Sequence, residues 1–312
     1  MRHIKSAPRG RIDRRTFVGG LGAALTLAGA GPARSIGRLA AGDGELIVVS
    51  DGSMTLPVDF AFPDVPADEV RGLLEAAGQS GDGITNACNV TLLRRGDRLA
   101  IFDVGAGPNF LPTTGELLDN LAEAGVDPAE VTDVIFTHAH PDHLWGLTDD
   151  FDDLVFPEAR YHMARAERDF WMSPEAMDAL PEERQSFVVG AQNRIPRFEE
   201  QASFFEPGDE VIPGVEAIDT AGHTPGHVSF AVHGGDGPVI VVGDAVTNVV
   251  LSLERPDWPS GADQDVEKGV KTRTALLDRL AGDKARVIGF HFPHPGAGLI
   301  ERKNGGYRFV PA

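Results

Sequence analysis

The chain has 312 residues, 42% of them hydrophobic, one cysteine and a formal net charge of −19. That length buries a large core and suits one domain of about 250 residues with extensions. A single cysteine excludes an internal disulfide, and the acidity argues against nucleic acid or anionic lipid as a partner.

The first thirty residues differ in character. Asp13-Arg14-Arg15-Thr16-Phe17-Val18 is a twin-arginine motif, with further basic residues before it and the apolar, Gly/Ala-rich run Gly19–Ala30 after it. That run is too short and too weakly apolar for stable membrane insertion, and Ala28-Gly29-Ala30 offers a small-residue cleavage site. The expectation is a twin-arginine signal peptide over residues 1–30, a linker over 31–44, a folded domain over 45–312, and export to the periplasm. Six basic residues against one acid make the leader +5, so the remaining chain carries a formal −24.

Glu45–Ser50 and Thr55–Phe60 read as strands, followed by Asn89–Leu93 and Leu99–Asp103. Residues 61–86 interrupt them. Pro63 and Pro66 on one side, and Gly78, Gly81 and Gly83 on the other, frame a short helical piece, Ala67–Ala77. Such an insert reads as a lid or substrate wall, or else as a surface excursion or homodimer contact. A helix is expected over Thr114–Ala124, with Thr113 or Thr114 as cap and Gly125 as stop. Val134–Thr137 and Arg160–Met163 read as strands, Ala164–Trp171 and Pro174–Gly190 as helices. The second half offers strands at Val215–Ile218, Val228–Val232, Val239–Val242 and Val287–Phe290, with a helix over Ala262–Leu280. The pattern predicts an α/β fold, an αββα sandwich of two facing mixed sheets with helices outside, each half giving one sheet. Cys88, inside the strand-like Ala87–Leu93, reads as a buried, inert thiol.

Chemistry concentrates in Thr137-His138-Ala139-His140-Pro141-Asp142-His143. Three imidazoles and a carboxylate at that density are ligands of a kind zinc prefers. His138 and His140 are two apart and share a face on extended backbone; Pro141 lets a helix start and turn Asp142 and His143 back. His223, Asp244 and His291 each follow a strand-like run, where a rigid scaffold presents functional groups. Five His and two Asp exceed the needs of one four-coordinate ion and suit two. Two adjacent divalent ions acidify a bridging water, and the resulting hydroxide can attack an acyl carbon or a phosphorus. Asp142 can orient that water or shuttle its proton.

This constellation resembles the metallo-β-lactamase superfamily, with its H-x-H-x-D-H motif and later His, Asp and His. The resemblance implies His138, His140 and His223 on one ion, Asp142, His143 and His291 on the other, and Asp244 bridging. It also implies that Asp103, in Ile101-Phe102-Asp103-Val104-Gly105, supports the metal loop from behind. The β-lactamase branches usually carry Cys or Ser at the place of Asp244, and oxygen-reducing di-iron relatives carry Glu at the place of His140. Persulfide dioxygenase relatives bind one iron and need no bridging Asp. The basic glutathione-binding residues of glyoxalase II are not identifiable.

Asp169-Phe170-Trp171-Met172-Ser173, the turn Gly222–His227 and the end Gly305–Pro311 look like methyl parathion hydrolase and its relatives. That likeness implies an exported dinuclear zinc hydrolase of neutral aryl esters, lactones or phosphotriesters, with Trp171, Phe110 and Phe187 around the leaving group. His294 is a further candidate for the pocket, and His227 is expected to support its turn. His162 and His233 are expected to be structural or exposed. The other readings are a metal-dependent binding or sensing protein with little turnover, and a glyoxalase II-like thioester hydrolase.

Overall fold

The computed structural model describes residues 36–312 except 82 and 236; the twin-arginine motif and the expected signal peptide lie outside the described residues. Strands β1 (Gly37–Ala41), β2 (Gly44–Leu56), β3 (Ile84–Arg95), β4 (Arg98–Phe102), β5 (Asp133–Ile135), β6 (Arg160–Ala164) and β7 (Ala202–Phe205) form one sheet in chain order. The second sheet runs in chain order through β8 (Glu210–Ile212), β9 (Val215–Asp219), β10 (Val228–Val232), β11 (Val239–Val241), β12 (Arg286–Ile288), β13 (Ala297–Lys303) and β14 (Gly306–Pro311). Both are mixed. In the first sheet β4 to β7 pair parallel; in the second the parallel pair is β11 with β12.

Leu46-Ile47-Val48-Val49 in β2 shows why these strands lie inside. Leu46 and Val48 meet Phe230, Val239 and Val241 of the other sheet, while Ile47 and Val49 join the core beneath the helices. A strand buried on both faces reads as a continuous apolar run rather than an alternating one. Outside the first sheet pack the helices Leu117–Glu123 and Gln185–Phe198; outside the second packs Val266–Asp283 through Leu276, Leu277 and Leu280. The result is the four-layer αββα sandwich, with one sheet from each half of the chain.

Several boundaries differ from expectation, each for a local reason. The segment read as linker contains β1, which pairs with β2 from Gly37 opposite Val48 to Ala41 opposite Gly44. Of Thr55–Phe60 only Thr55 and Leu56 are strand, as the end of β2, and Val58–Ala61 is a helical turn after Pro57. The helix expected from Thr114 starts at Leu117, because its first amide donates to Asp51 Oδ1 (2.9 Å), a cap from another strand. Pro174–Gly190 splits into the short turn Ala176–Ala179 and the helix Gln185–Phe198, which runs on through Pro196 because Val188, Ala191, Ile195 and Phe198 are buried at helical spacing. Val266 replaces Ala262 as the start of the long helix, capped by Asp265 accepting from the Lys268 amide at 3.0 Å.

The insert is a wall. Val58, Ala61, Phe62, Val70, Leu74 and Ile84 form a small core with Val250 and Leu251, with Trp258 packed against it. The helix Ala67–Ala76 thus backs the segment that carries Phe60 and Phe62. Among the described residues no helix is long and apolar enough to cross a membrane.

Candidate metal centre

The ligand candidates meet at one edge of the sandwich, each on a loop that leaves a strand. His138 and His140 follow β5, with Pro141 opening the helical turn Pro141–Leu144 that carries Asp142 and His143. His223 lies between β9 and β10, Asp244 just after β11, and His291 just after β12. All seven are at most 7% exposed.

They sort into two groups, His138, His140 and His223, and Asp142, His143, Asp244 and His291, with ligand atoms within 4.8 Å of one another in each. His140 Nδ1 lies 3.0 Å from His138 Nε2 and 2.9 Å from His223 Nε2. Tetrahedral zinc with Zn–N of about 2.0–2.1 Å would set such nitrogens about 3.3 Å apart. In the second group His143 Nε2 is 3.2 Å from Asp244 Oδ1 and 3.4 Å from Asp142 Oδ2. His291 Nε2 is 3.1 Å from Asp244 Oδ2 and 3.3 Å from Asp142 Oδ2. Asp244 Oδ2 also comes within 3.4 Å of His223 Nε2, so this one carboxylate touches both groups. His143 Nε2, Asp142 Oδ2 and Asp244 Oδ1 are buried without a hydrogen-bond partner. Convergent orphaned donors of this chemistry fit divalent ions.

Electrostatics agree with that fit. Burial, then the neighbouring imidazoles, pull His138 and His140 far below the usual imidazole range, so both are neutral. Burial opposes ionisation of Asp142 and Asp244, but His143 and His291 outweigh it and hold both carboxyls below the usual range. The same carboxylates raise His143 and His291 against burial, positive charge that a bound cation can supply instead.

The surroundings fix each ligand. Asp103, left-handed at φ 62°, accepts from the Thr137 amide, the Thr137 hydroxyl and His143 Nδ1, each at 2.8 Å. His291 Nδ1 donates to Ala87 O (2.8 Å), and His223 Nδ1 to Asp263 Oδ1 (3.3 Å). Holding the far nitrogen this way sets the tautomer and presents the other to a metal. His227 supports its turn, as expected: Nδ1 donates to Thr220 O (3.2 Å) and Nε2 accepts the Asp244 amide (2.9 Å).

Glu167 escaped the sequence reading. Fully buried, it accepts from the Ala139 and Gly226 amides, Thr224 Oγ1 and Trp171 Nε1 at 2.6–3.0 Å, tying the two histidine loops together. Its spacing of four from Trp171 was the visible signal. Asp263, with its ion pair to Arg273 (3.1 Å), gave none.

A cleft, open at its mouth, leads to His140, Asp142, Asp244 and His291. Met54, Leu56, Phe60, Phe62, Ile84, Phe110 and Phe187 give it apolar walls. Phe110 and Phe187 are both in this lining. Trp171 is not: it is fully buried behind His140, 5.7 Å between ring centres, with its indole N–H given to Glu167. His294 also lies outside the lining and donates through Nδ1 to Asn89 Oδ1 at 2.7 Å. His162 is buried and His233 exposed, bonded to Asp133 and Glu216 respectively. Cys88 is buried.

The family profile described as "Metallo-beta-lactamase superfamily" matches residues 83–290. Metallo-beta-lactamase domain-containing protein 1 of Xenopus laevis is 30% identical over 226 residues, 72% of this chain and 81% of that protein. Among solved structures, AidC, a dizinc quorum-quenching lactonase in complex with the product N-hexanoyl-L-homoserine, superposes with a TM-score of 0.84 at 27% identity, covering 89% of this chain and 97% of that one. The hydrolase AbOPH of the β-lactamase superfamily also gives 0.84, at 28% identity over 90% and 99% of the two chains.

Proposed function

The chain belongs to the metallo-beta-lactamase superfamily, and from that premise we propose an exported dinuclear zinc hydrolase of neutral lactones and aryl esters, with neutral phosphotriesters as a slower side activity. The observation that carries this reading is the apolar cleft ending on the two ligand groups. We rank lactones first, ahead of the methyl parathion hydrolase-like chemistry, on the likeness to the lactonase AidC.

His138, His140 and His223 would hold one ion, Asp142, His143 and His291 the other, and Asp244 both. Bound there, two divalent ions supply an acidified water as nucleophile and polarise the ester carbonyl. The protein does the rest. Asp142 borders the cleft, where its carboxylate orients the attacking water and takes its proton. Phe110 and Phe187 stack on flat leaving groups or acyl chains, and the wall at Phe60 and Phe62 keeps bulk water off the reacting carbon. Asp103, Glu167, His227 and Asp263 hold the ligand loops so that little rearrangement is needed on binding.

A panel on one metal-loaded preparation tests this. Substituted γ-lactones and aryl esters should turn over fastest, a neutral phosphotriester more slowly, and phosphodiesters and β-lactams near background. A phosphodiester or β-lactam outrunning every neutral ester would overturn the reading. Export belongs to the proposal too: Arg14→Lys with Arg15→Lys should leave the precursor inside the cell, and continued delivery to the periplasm would contradict it.

A further inference from the structure

Among the residues that line the cleft, Arg184 is the one Lys or Arg. It is 8% exposed and stands where the helix Gln185–Phe198 begins. Its guanidinium donates to Gly261 O and, at 3.4 Å, to Ala262 O, and lies 5.1 Å from the centre of the Phe60 ring. Asp263, the acid whose charge it feels most, is already engaged by Arg273 at 3.1 Å and by His223 at 3.3 Å. Among the described residues no carboxylate pairs with Arg184.

A guanidinium offers five N–H donors in a planar fork. Two are given to backbone carbonyls, and the others have no described protein partner. A buried cation without a counter-charge is costly to maintain, and such groups are retained where a ligand completes them. The setting sharpens this: Phe60, Ala61, Phe62 and Phe187 line the same cleft and carry no side-chain acceptor.

Resting on the hydrolase reading, we propose that Arg184 is a specificity residue. It donates to a second acceptor oxygen of the substrate, an amide carbonyl or a carboxylate set away from the bond that is cut. The favoured substrates are then not plain apolar esters. They are esters or lactones whose apolar chain carries an oxygen acceptor, which binds between Arg184 and the metal ligands. Phe60, held under the guanidinium, aligns the chain beside that contact.

Three γ-lactones of equal chain length test this: one with an amide-linked acyl chain, one with a plain alkyl chain, one with a carboxylate-bearing chain. Arg184→Met should lower kcat/KM for the amide lactone roughly 10- to 100-fold, mainly through KM, and change the alkyl lactone by less than about threefold. Arg184→Lys should keep part of the preference. The carboxylate lactone tells an anionic acceptor from a neutral one by which of the two suffers more. Equal losses on all three lactones would make Arg184 only a strap between Phe60 and Gly261, and overturn the proposal. Calorimetric binding of the ring-opened amide product reads the contact without turnover: binding at least about tenfold weaker in Arg184→Met supports it, unchanged binding refutes it. Metal content and unfolding midpoint accompany each variant; if Arg184→Met does not accumulate folded, Arg184→Lys carries both comparisons. A wild type that hydrolyses no lactone contradicts the hydrolase reading instead, and the binding arm still decides the role of Arg184.

Discussion

At the scale of single residues, two aromatic side chains that look alike in the sequence have different tasks. Trp171 is fully buried and bonded to Glu167, whereas Phe187 is partly exposed and lines the cleft 5.6 Å from His140. Trp171→Ala should therefore cost about 3–5 kcal/mol of stability in denaturant unfolding, and depress aryl and alkyl substrates alike. Phe187→Ala should spare most of the stability and weaken aryl substrates selectively, by about 1–3 kcal/mol in kcat/KM. The opposite pattern would return Trp171 to the pocket. Asp51 gives a pH signature. Burial raises its carboxyl to about 6 despite amides donated by Ala106 and Leu117. The folded state thus binds a proton that the unfolded chain has released above about 4, so this contribution is present at pH 4 and is lost as pH rises through 6. The stability difference between wild type and Asp51→Asn should shrink by on the order of 2–3 kcal/mol from pH 4 to pH 7. A difference that stayed flat would show that Asp51 does not titrate in that range.

At the scale of elements, the wall decides what the cleft admits. Leu74, fully buried in the helix Ala67–Ala76, fills the small core behind Phe62. Leu74→Ala should loosen the wall, raise KM for long-chain lactones more than for short ones, and leave the metal ratio unchanged; equal effects across chain length would separate the wall from substrate choice. The elements also show what the sequence made legible. Continuous apolar runs ending in His or Asp marked β5, β11 and β12, because a strand buried on both faces has nowhere to hide a polar residue except its end. Caps and partners supplied from far along the chain were invisible. Asp51 starts a helix sixty-six residues later, and Glu167 closes a loop fifty-nine residues later. The edge hairpin of β13 and β14 was missed although Asn304 and Gly305, at φ 45° and 89°, form its turn, since its polar strands show little hydrophobic pattern.

At the scale of the whole molecule, an acidic exterior surrounds an apolar cleft that ends on carboxylates and imidazoles. The formal −24 of residues 31–312 should disfavour anionic substrates at low salt. Raising ionic strength from about 0.02 to 0.3 M should then speed a phosphodiester or carboxylate-bearing ester relative to its neutral analogue, and an unchanged ratio would show that the surface field does not reach the site. Seven ligand candidates on four loops form two groups that could each hold an ion, and the proposed function rests on both being filled. The most direct test is the metal-to-protein ratio of loaded enzyme, determined by elemental analysis alongside lactone hydrolysis. Close to two divalent ions per chain are expected, with activity rising to its full value only as the second is bound; full activity at one ion or none would contradict a dinuclear site.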